Sequence, residues 1–153
     1  MKYKLFLVLL FFLMPEALSF SAENALPHLK AKPGEIIDIP VIIDKTDNLA
    51  GVKLLINYDK ELLTFKEGNT TKSTRSLMCV INDKKPGKLI IVMAGAKGVS
   101  GKDLPLLNLT FEVRKELPGT HTTRFEILEM QLMSDQLKEV KGSVIIKPLD
   151  ILP

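Results

Sequence analysis

The chain alternates apolar and polar residues over short stretches, most clearly over residues 49–65, LAGVKLLINYDKELLTF. Apolar residues recur at every second position from Val52 to Tyr58, so a strand would place them all on one face. The polar step at 59–61 interrupts this alternation, which resumes at Leu62. The pattern predicts two consecutive β-strands, each with one buried side, joined by a tight polar corner.

Stretches of the same kind follow one another at roughly ten-residue spacing along most of the chain. Turn residues such as Pro33-Gly34 and Pro118-Gly119 separate them. The polar or glycine-rich stretches 46–48, 67–76 and 95–101 are predicted as loops or bends. About nine short strands with this spacing are typical of an antiparallel β-sandwich.

The N-terminal segment, residues 1–22, has the composition of a secretory signal peptide. Lys2 and Lys4 precede ten uninterrupted apolar residues, and small residues follow them. A membrane-spanning helix needs roughly 20 apolar residues, so cleavage is favoured over a membrane anchor. We therefore predict an exported protein, periplasmic or extracellular, without a stable membrane span after cleavage. It would have one domain at 23–148 and a short C-terminal tail at 149–153.

Charge and cysteine content narrow the class of protein. Without the first 22 residues the chain has 19 basic and 17 acidic residues, spread along its length, which gives no electrostatic footprint for nucleic acid. The one compact basic group, Lys84, Lys85 and Lys88, is interpreted as a solvated turn. Cys79 is the only cysteine, so no intramolecular disulfide can form. Its apolar neighbours favour a core or strand-face thiol over a reactive or intermolecular one.

No arrangement of residues typical of catalysis stands in the sequence. His28 and His121 are far from a Ser-x-Gly elbow and from a second histidine at metal-ligand spacing. The acid pair Glu126 and Glu129 is interpreted as surface solvation rather than as a glycosidase pair. The acidic stretch 44–48 lacks the Asp-x-Asp-x-Asp-Gly pattern of a calcium loop. We predict no catalytic residue, no cofactor and no metal site.

An ordered set of short motifs resembles the cohesin domain family and spans roughly residues 28–147. In chain order the motifs are Pro33-Gly34-Glu35 leading into IIDIPVII, the Tyr-Asp corner with its Leu-x-Phe run at 58–65, Gly87-Lys88-Leu89-Ile90-Ile91, LLNLTFEV at 106–113, Pro118-Gly119 and GSVIIK at 142–147. The resemblance implies an all-β, antiparallel jelly-roll (immunoglobulin-like) sandwich, in agreement with the strand pattern. It also implies a non-catalytic module that binds a dockerin, a small helical calcium-binding module, or another protein such as an envelope protein, in a polysaccharide-degrading or cell-surface assembly.

The resemblance further implies that the partner binds a sheet face built from the strands equivalent to the third, fifth, sixth and eighth. Carried over by position, the outward residues are Lys53, Leu55 and Asn57 on the third strand, Ile81 on the fifth, Val92 and Gly95 on the sixth, and Glu126 or Leu128 on the eighth. Leu55, Ile81 and Val92 would form an apolar centre with a polar rim, unless they are buried. Many cohesins have an acidic residue where this chain has Lys53 and Gly95, which implies a lost or inverted charge pairing.

A small secreted carbohydrate-binding module is the alternative. Such modules commonly hold sugar rings with exposed Trp or Tyr faces. The chain has no Trp, and its aromatic residues after the first 22 fall at predicted core positions. These residues are Tyr58, Phe65, Phe111 and Phe125. The residue types therefore favour protein recognition over sugar binding. A hydrolase that uses an acid pair is the least favoured of the three functions.

Overall fold

The computed structural model describes residues 26–153, and this part of the chain consists of nine β-strands without a helix. The strands are β1 (Leu29–Ala31), β2 (Ile36–Asn57), β3 (Leu63–Thr70), β4 (Met78–Asn82), β5 (Lys88–Val113), β6 (His121–Thr123), β7 (Glu126–Ser134), β8 (Val144–Ile146) and β9 (Leu149–Ile151). All strand pairs are antiparallel except β1 with β9. The predicted all-β antiparallel sandwich is confirmed. The predicted signal peptide lies outside the described residues.

Two of the strands are much longer than the sequence pattern predicted. β2 has 22 residues and β5 has 26, and the two pair with each other along most of their length. The prediction of a loop at 46–48 is wrong, because this stretch lies within β2, and the bend predicted at 95–101 lies within β5 rather than between two strands. The pairing shifts register there, and Asn48 has a φ of 57°. Irregularities of this kind bend a strand sharply without ending it, so one long strand contributes to both layers of a sandwich.

The bends divide the curled sheet into two four-stranded halves. In the first half, the beginning of β2 and the end of β5 lie between β8 and β3. In the second half, residues 49–57 of β2 and 88–94 of β5 lie between β7 and β4. We call the first half the back sheet and the second half the front sheet. Strand β3 also takes in residues 67–70, so only the remainder of the predicted loop at 67–76 lies outside a strand.

Strand β9 replaces the predicted C-terminal tail, and that prediction is wrong. Leu149 and Ile151 are fully buried, and β9 pairs with β1 on one side and β6 on the other. Between them Asp150 faces outward, where its Oδ1 lies 2.9 Å from Nδ1 of His28 and accepts a hydrogen bond from Oγ1 of Thr122 at 2.7 Å. Three residues are too few for a periodic pattern to identify a strand, which is why the sequence did not predict it.

A single apolar core joins both halves of the sheet, and Phe111 of β5 is one of its fully buried residues. The rings of Tyr58, Phe65 and Phe125 pack around Phe111 with centroids 5.0, 5.6 and 5.4 Å away. The prediction that these four aromatic residues lie at core positions is confirmed. Buried residues alternate along the long strands as predicted. They include Ile39, Val41, Ile43, Val52, Leu54, Ile56, Leu89, Ile91, Met93, Leu107 and Leu109.

The bend of β5 depends on a residue without a side chain. A Cβ added to Gly98 would lie 2.5 Å from the backbone carbon of Asn48 and 2.6 Å from its carbonyl oxygen. We therefore expect Gly98→Ala to lower the free energy of unfolding by about 1–3 kcal/mol, measured by urea denaturation. Gly101→Ala is the control, because its Cβ would meet only side-chain atoms of Leu104, at 3.2 Å and beyond. Equal losses in the two variants would contradict this explanation.

Candidate binding face

The outward side of the front sheet carries a mixed apolar and polar surface in fixed register. Along β2 the outward residues Lys53, Leu55 and Asn57 alternate with buried ones. Cross-strand pairing places Val80, Val92, Lys53 and Gln131 in one row, and Asn82, Ile90, Leu55 and Glu129 in the next. Met78, Ala94 and Gly51 form a further row toward the bend.

Several residues predicted for the partner-binding face do lie on this outward side. Lys53, Leu55 and Asn57 are half-buried, and Val92 is 43% exposed. Glu126 is exposed and pairs with Asn57 across the strands. Leu128 is also exposed; it lies at a register shift in β7, between the residues that pair with Leu55 and Ile56.

The structure corrects the direction of two predicted residues. Ile81 packs against the core and pairs with buried Ile91, so it faces inward. A Cβ on Gly95 would lie 2.6 Å from Cδ2 of buried Leu77, so position 95 also faces into the protein. The physical reason is strand parity: the outward positions are the neighbours of these residues, not the residues themselves.

Sequence reasoning missed the most exposed apolar residues of the face. Met78 and Val80 of β4 are 74% and 59% exposed, and both point outward. A signal for them was present, because a core position for Cys79 places Val80 on the opposite face. We call the outward-facing apolar residues of β2, β4 and β5 in the front sheet the apolar strip: Met78, Val80, Ile90, Val92, Ala94 and Leu55.

Two shallow hollows lie along this strip. One of about 310 Å³ has Leu55 and Ile90 in its lining together with Asn82, and three lysines complete it. We call it the lysine hollow; its lysines are Lys84, Lys85 and Lys88. The other, of about 330 Å³, is lined by residues near the bend and we call it the glycine hollow. Its lining includes Gly51, Val92, Ala94, Gly95, Met133 and Leu137.

A wider cleft of about 630 Å³ lies elsewhere, between the bend of β2 and residues 138–143. Its lining combines acidic and basic side chains, including Asp44 and Lys45, and contains no residue of the apolar strip. Size alone does not make a binding site, and the exposed apolar area of the front sheet is the more informative feature. We therefore take the front sheet as the candidate site.

Charges are distributed unevenly over the front sheet. On the β7 side, Nζ of Lys53 lies 2.8 Å from Oε1 of Glu129, which also accepts a hydrogen bond from Gln131. Both partners of this ion pair are more than a third exposed, so it contributes at most about 1 kcal/mol to stability. On the β4–β5 side, none of the lysines of the lysine hollow forms a salt bridge with a described residue.

The titratable groups of the described residues give no catalytic arrangement. Partial burial raises the pKa of the Cys79 thiol, which favours the unreactive protonated form. No group of three or more His, Cys, Asp or Glu side chains in residues 26–153 is arranged to hold a metal ion. The same residues contain no helix long and apolar enough to cross a membrane.

Three carboxyl groups away from the front face have lowered pKa values: Asp44, Glu112 and Asp150. For Asp44 the cause is hydrogen bonding from the backbone N–H of Ser143 and then of Lys45, both at 2.7 Å from Oδ1. For Glu112 the cause is the hydrogen bond and ion pair with Nζ of Lys66, 2.6 Å from its Oε2. These contacts favour the charged carboxylate of the folded protein.

The lowered pKa values predict acid-sensitive stability. The hydrogen bond with His28, and then that from Thr122, lowers the pKa of Asp150 in the same way. A carboxyl group whose pKa is lower in the folded than in the unfolded protein stabilises the folded state. This contribution is complete above the unfolded pKa of about 4, and it is lost as pH falls through the folded pKa. We expect urea denaturation to give constant stability from about pH 7 to 5 and a decline below about pH 4.

The variant Asp44→Asn serves as the control for acid sensitivity. Its amide oxygen can still accept the two backbone hydrogen bonds, but the group no longer titrates. The decline below about pH 4 should therefore be shallower in Asp44→Asn than in the unchanged protein. An identical acid profile for the two proteins would contradict the assignment to Asp44.

The fold and the exposed strip define a class: an antiparallel β-sandwich module with a surface suited to bind a macromolecule. The family model of the cohesin domain matches residues 23–147, and the chain belongs to the cohesin domain family. This family consists of non-catalytic protein-binding modules. The resemblance predicted from the sequence motifs is thereby confirmed. Comparison with curated proteins finds no match.

Solved cohesin structures share the fold. A non-cellulosomal cohesin from the archaeon Archaeoglobus fulgidus is 20% identical, with 82% of this chain and 87% of that chain covered and a TM-score of 0.68. The sixth cohesin of scaffoldin B from Acetivibrio cellulolyticus, in complex with a mutant Cel5 dockerin, is 18% identical, with coverage of 82% and 94% and a TM-score of 0.72. The cohesin OlpA from Clostridium thermocellum, in complex with the dockerin Doc918, is 17% identical, with coverage of 82% and 94% and a TM-score of 0.66.

Proposed function

We propose that this protein is a non-catalytic recognition module that binds a protein partner through the front sheet. The observation that carries the proposal is the apolar strip, in which Met78, Val80 and Val92 stand exposed side by side. Water-exposed apolar side chains in one contiguous patch mark an interaction surface, and they gain free energy when a partner covers them. The polar residues around the strip provide the rim of such a surface.

The size of the front sheet limits how a partner binds. Four strands span about 19 Å across, and the nine-residue stretch 49–57 extends roughly 30 Å along the strand direction. Each side of a specific protein complex buries about 800 Å² of accessible surface. A partner must therefore cover most of the front sheet, including its rim at Leu128 and the β4–β5 turn.

A dockerin-type module is the partner that the family supports best. Two of the solved relatives are complexes of a cohesin with a dockerin. Lys53 and Gly95 stand where many cohesins have acidic residues, so the charges of this chain's partner would differ from the usual ones. An envelope protein with a suitable surface is the second kind of protein partner.

Export and the absence of catalysis belong to the same proposal. The basic and then apolar composition of residues 1–22 supports a signal peptide, and cohesin modules are typically extracellular or cell-surface components. A periplasmic or extracellular module would reach polysaccharide only through its protein partner. Direct sugar binding is not favoured, because the four aromatic side chains of residues 26–153 form one cluster in the core, with the other three packed around Phe111.

The proposed function is tested by comparing protein and sugar ligands in parallel. Purified protein is titrated calorimetrically with the dockerin modules of the producing organism, and it is run by affinity electrophoresis through gels containing polysaccharides. We expect saturable binding to a dockerin and no retardation by polysaccharide. Retardation by polysaccharide together with failure of every dockerin to bind would contradict the proposal, and so would turnover of a glycoside substrate.

A further inference from the structure

The lysine hollow combines an apolar lining with unpaired positive charge. Leu55 and Ile90 are half-buried neighbours across β2 and β5, and they line the hollow from the sheet side. Lys84 and Lys85 in the β4–β5 turn are exposed, and Lys88 at the start of β5 is half-buried. The four salt bridges among the described residues include none of these three lysines.

The charge at this end of the front sheet differs from the charge at the other edge. Asp83 is the one acidic residue in the β4–β5 turn, against the three lysines of the hollow. Asp59 and Glu61 line a neighbouring hollow with Lys60, Lys85 and Lys88, so basic residues still outnumber acidic ones at this end. On the opposite edge the acidic residues of the outward face lie on β7, where Glu126 is exposed and Glu129 is already paired with Lys53. A partner that covers the whole front sheet therefore meets net positive charge at the hollow and negative charge at the β7 edge.

Covering the lysines has an energetic cost that depends on the partner. Lysine stems pack on apolar surface while the ammonium groups stay in water. If a neutral or basic partner covers them, the ammonium groups lose water and gain no opposite charge, which disfavours the complex. A partner with carboxylates at the same place restores the lost interactions and also associates faster.

The spacing of the two hollows indicates the shape of the partner. Residues 92–95 of β5 line the glycine hollow, and Lys88 and Ile90 line the lysine hollow, so the middles of the two stretches lie roughly four residues apart along β5. Four strand residues extend about 13 Å. An α-helix rises about 1.5 Å per residue, so two apolar side chains seven or eight residues apart on one helix face lie about 11–12 Å apart, which comes close to this distance.

We propose, on the basis of the proposed function, that the partner presents an acidic amphipathic helix to the front sheet. One of its apolar side chains occupies the glycine hollow and another the lysine hollow. Carboxylates next to the second apolar side chain meet the ammonium groups of Lys84, Lys85 and Lys88. The binding face thus selects an acidic partner segment and rejects a basic one.

The inference is tested with synthetic helical peptides that share one apolar stripe with the spacing given above. One peptide carries Glu residues beside one end of the stripe, a second carries Lys there, and a third keeps Glu but has Gln in place of the stripe. Fluorescence anisotropy is measured with the purified protein at about 0.15 M salt. We expect the first peptide to bind roughly tenfold more tightly than the second, as three exposed ion pairs together would supply. The third peptide should bind no better than the second.

A triple charge reversal separates a local effect from a global one. In the variant Lys84→Glu, Lys85→Glu and Lys88→Glu, the preference should shift to the basic peptide. The control variant Lys32→Glu, Lys115→Glu and Lys141→Glu has the same net charge and changes exposed lysines outside the front sheet. It should keep the preference for the acidic peptide. Thermal unfolding of both variants verifies that they fold. If the triple variant is unstable, the double variant Lys84→Glu, Lys85→Glu takes its place in the same measurement.

The outcomes distinguish this inference from the proposed function. Equal binding of the acidic and basic peptides, no binding of either, or an unchanged preference in the triple variant would overturn the inference. The proposed function would still stand if a dockerin bound and Val80→Asp abolished that binding. If a bound partner were unaffected by Val80→Asp, the proposed function itself would fail.

Discussion

Val80→Asp is expected to remove most of the affinity for the protein partner while leaving the fold intact. Val80 lies in the apolar strip, 59% exposed and directly beside Val92. A bound partner would enclose the new carboxylate among apolar side chains, where an unpaired charge is strongly disfavoured. We expect the enclosed carboxylate to cost about 2 kcal/mol or more of binding free energy, which raises the dissociation constant roughly thirtyfold.

The controls for Val80→Asp separate binding from folding. Val80 is exposed on an edge strand, so its replacement should change the free energy of unfolding by no more than about 1 kcal/mol. Ile36→Asp changes an apolar residue that is 63% exposed at the start of β2, in the back sheet, and should leave binding unchanged. Val80→Thr has a similar shape with one hydroxyl group and should give an intermediate loss. Equal weakening by Ile36→Asp and Val80→Asp in a calorimetric titration would contradict the assigned face.

Phe111→Ala is expected to have the largest effect on stability. The ring of Phe111 is fully buried and contacts the rings of Tyr58, Phe65 and Phe125. Its removal loses the transfer free energy of the ring and leaves a cavity in the core that joins both halves of the sheet. We expect the free energy of unfolding to fall by about 3–5 kcal/mol.

Urea denaturation measures this loss, and a smaller substitution provides the control. Phe111→Leu keeps an apolar side chain in the same place, so it should lose clearly less than Phe111→Ala. Wherever Phe111→Ala remains folded it should bind the partner normally, because the residue lies on the inner side of the back-sheet portion of β5. If Phe111→Ala lowered the free energy of unfolding by less than about 1 kcal/mol, the result would contradict a stabilising role of the aromatic cluster.

Period-two patterns predicted the buried faces of the strands correctly, since such patterns depend on near neighbours in the chain. The bends were not predictable in the same way. The stretches 46–48 and 95–101 have the polar and glycine-rich composition of loops, and they remain in strands because they lie against each other. Thr46 pairs with Gly101, for example. This pairing joins residues far apart in sequence, so local composition cannot reveal it.

The candidate face was predicted at the level of strands but not of every side chain. The four strands that the family resemblance indicated lie side by side in the front sheet, and parity within β4 was assigned one residue out of phase. Ile81 therefore replaced Val80 in the predicted patch, and Met78 was missed. From the sequence, the three lysines of the lysine hollow were interpreted as part of a solvated turn. Only the register that brings Leu55 beside Ile90 shows an apolar hollow next to them.

Mapping the bound partner by NMR chemical shifts tests the central claim most directly. The purified protein, labelled with ¹⁵N, is titrated with the dockerin or other protein that binds it, and backbone amide shifts are followed. We expect the largest changes in β4, in residues 88–94 of β5, in residues 49–57 of β2 and in β7, with little change in β1, β3, β6 and β9. Large changes confined to the back sheet or to the β1–β9–β6 sheet, with the front sheet unaffected, would contradict the claim that the front sheet binds the partner.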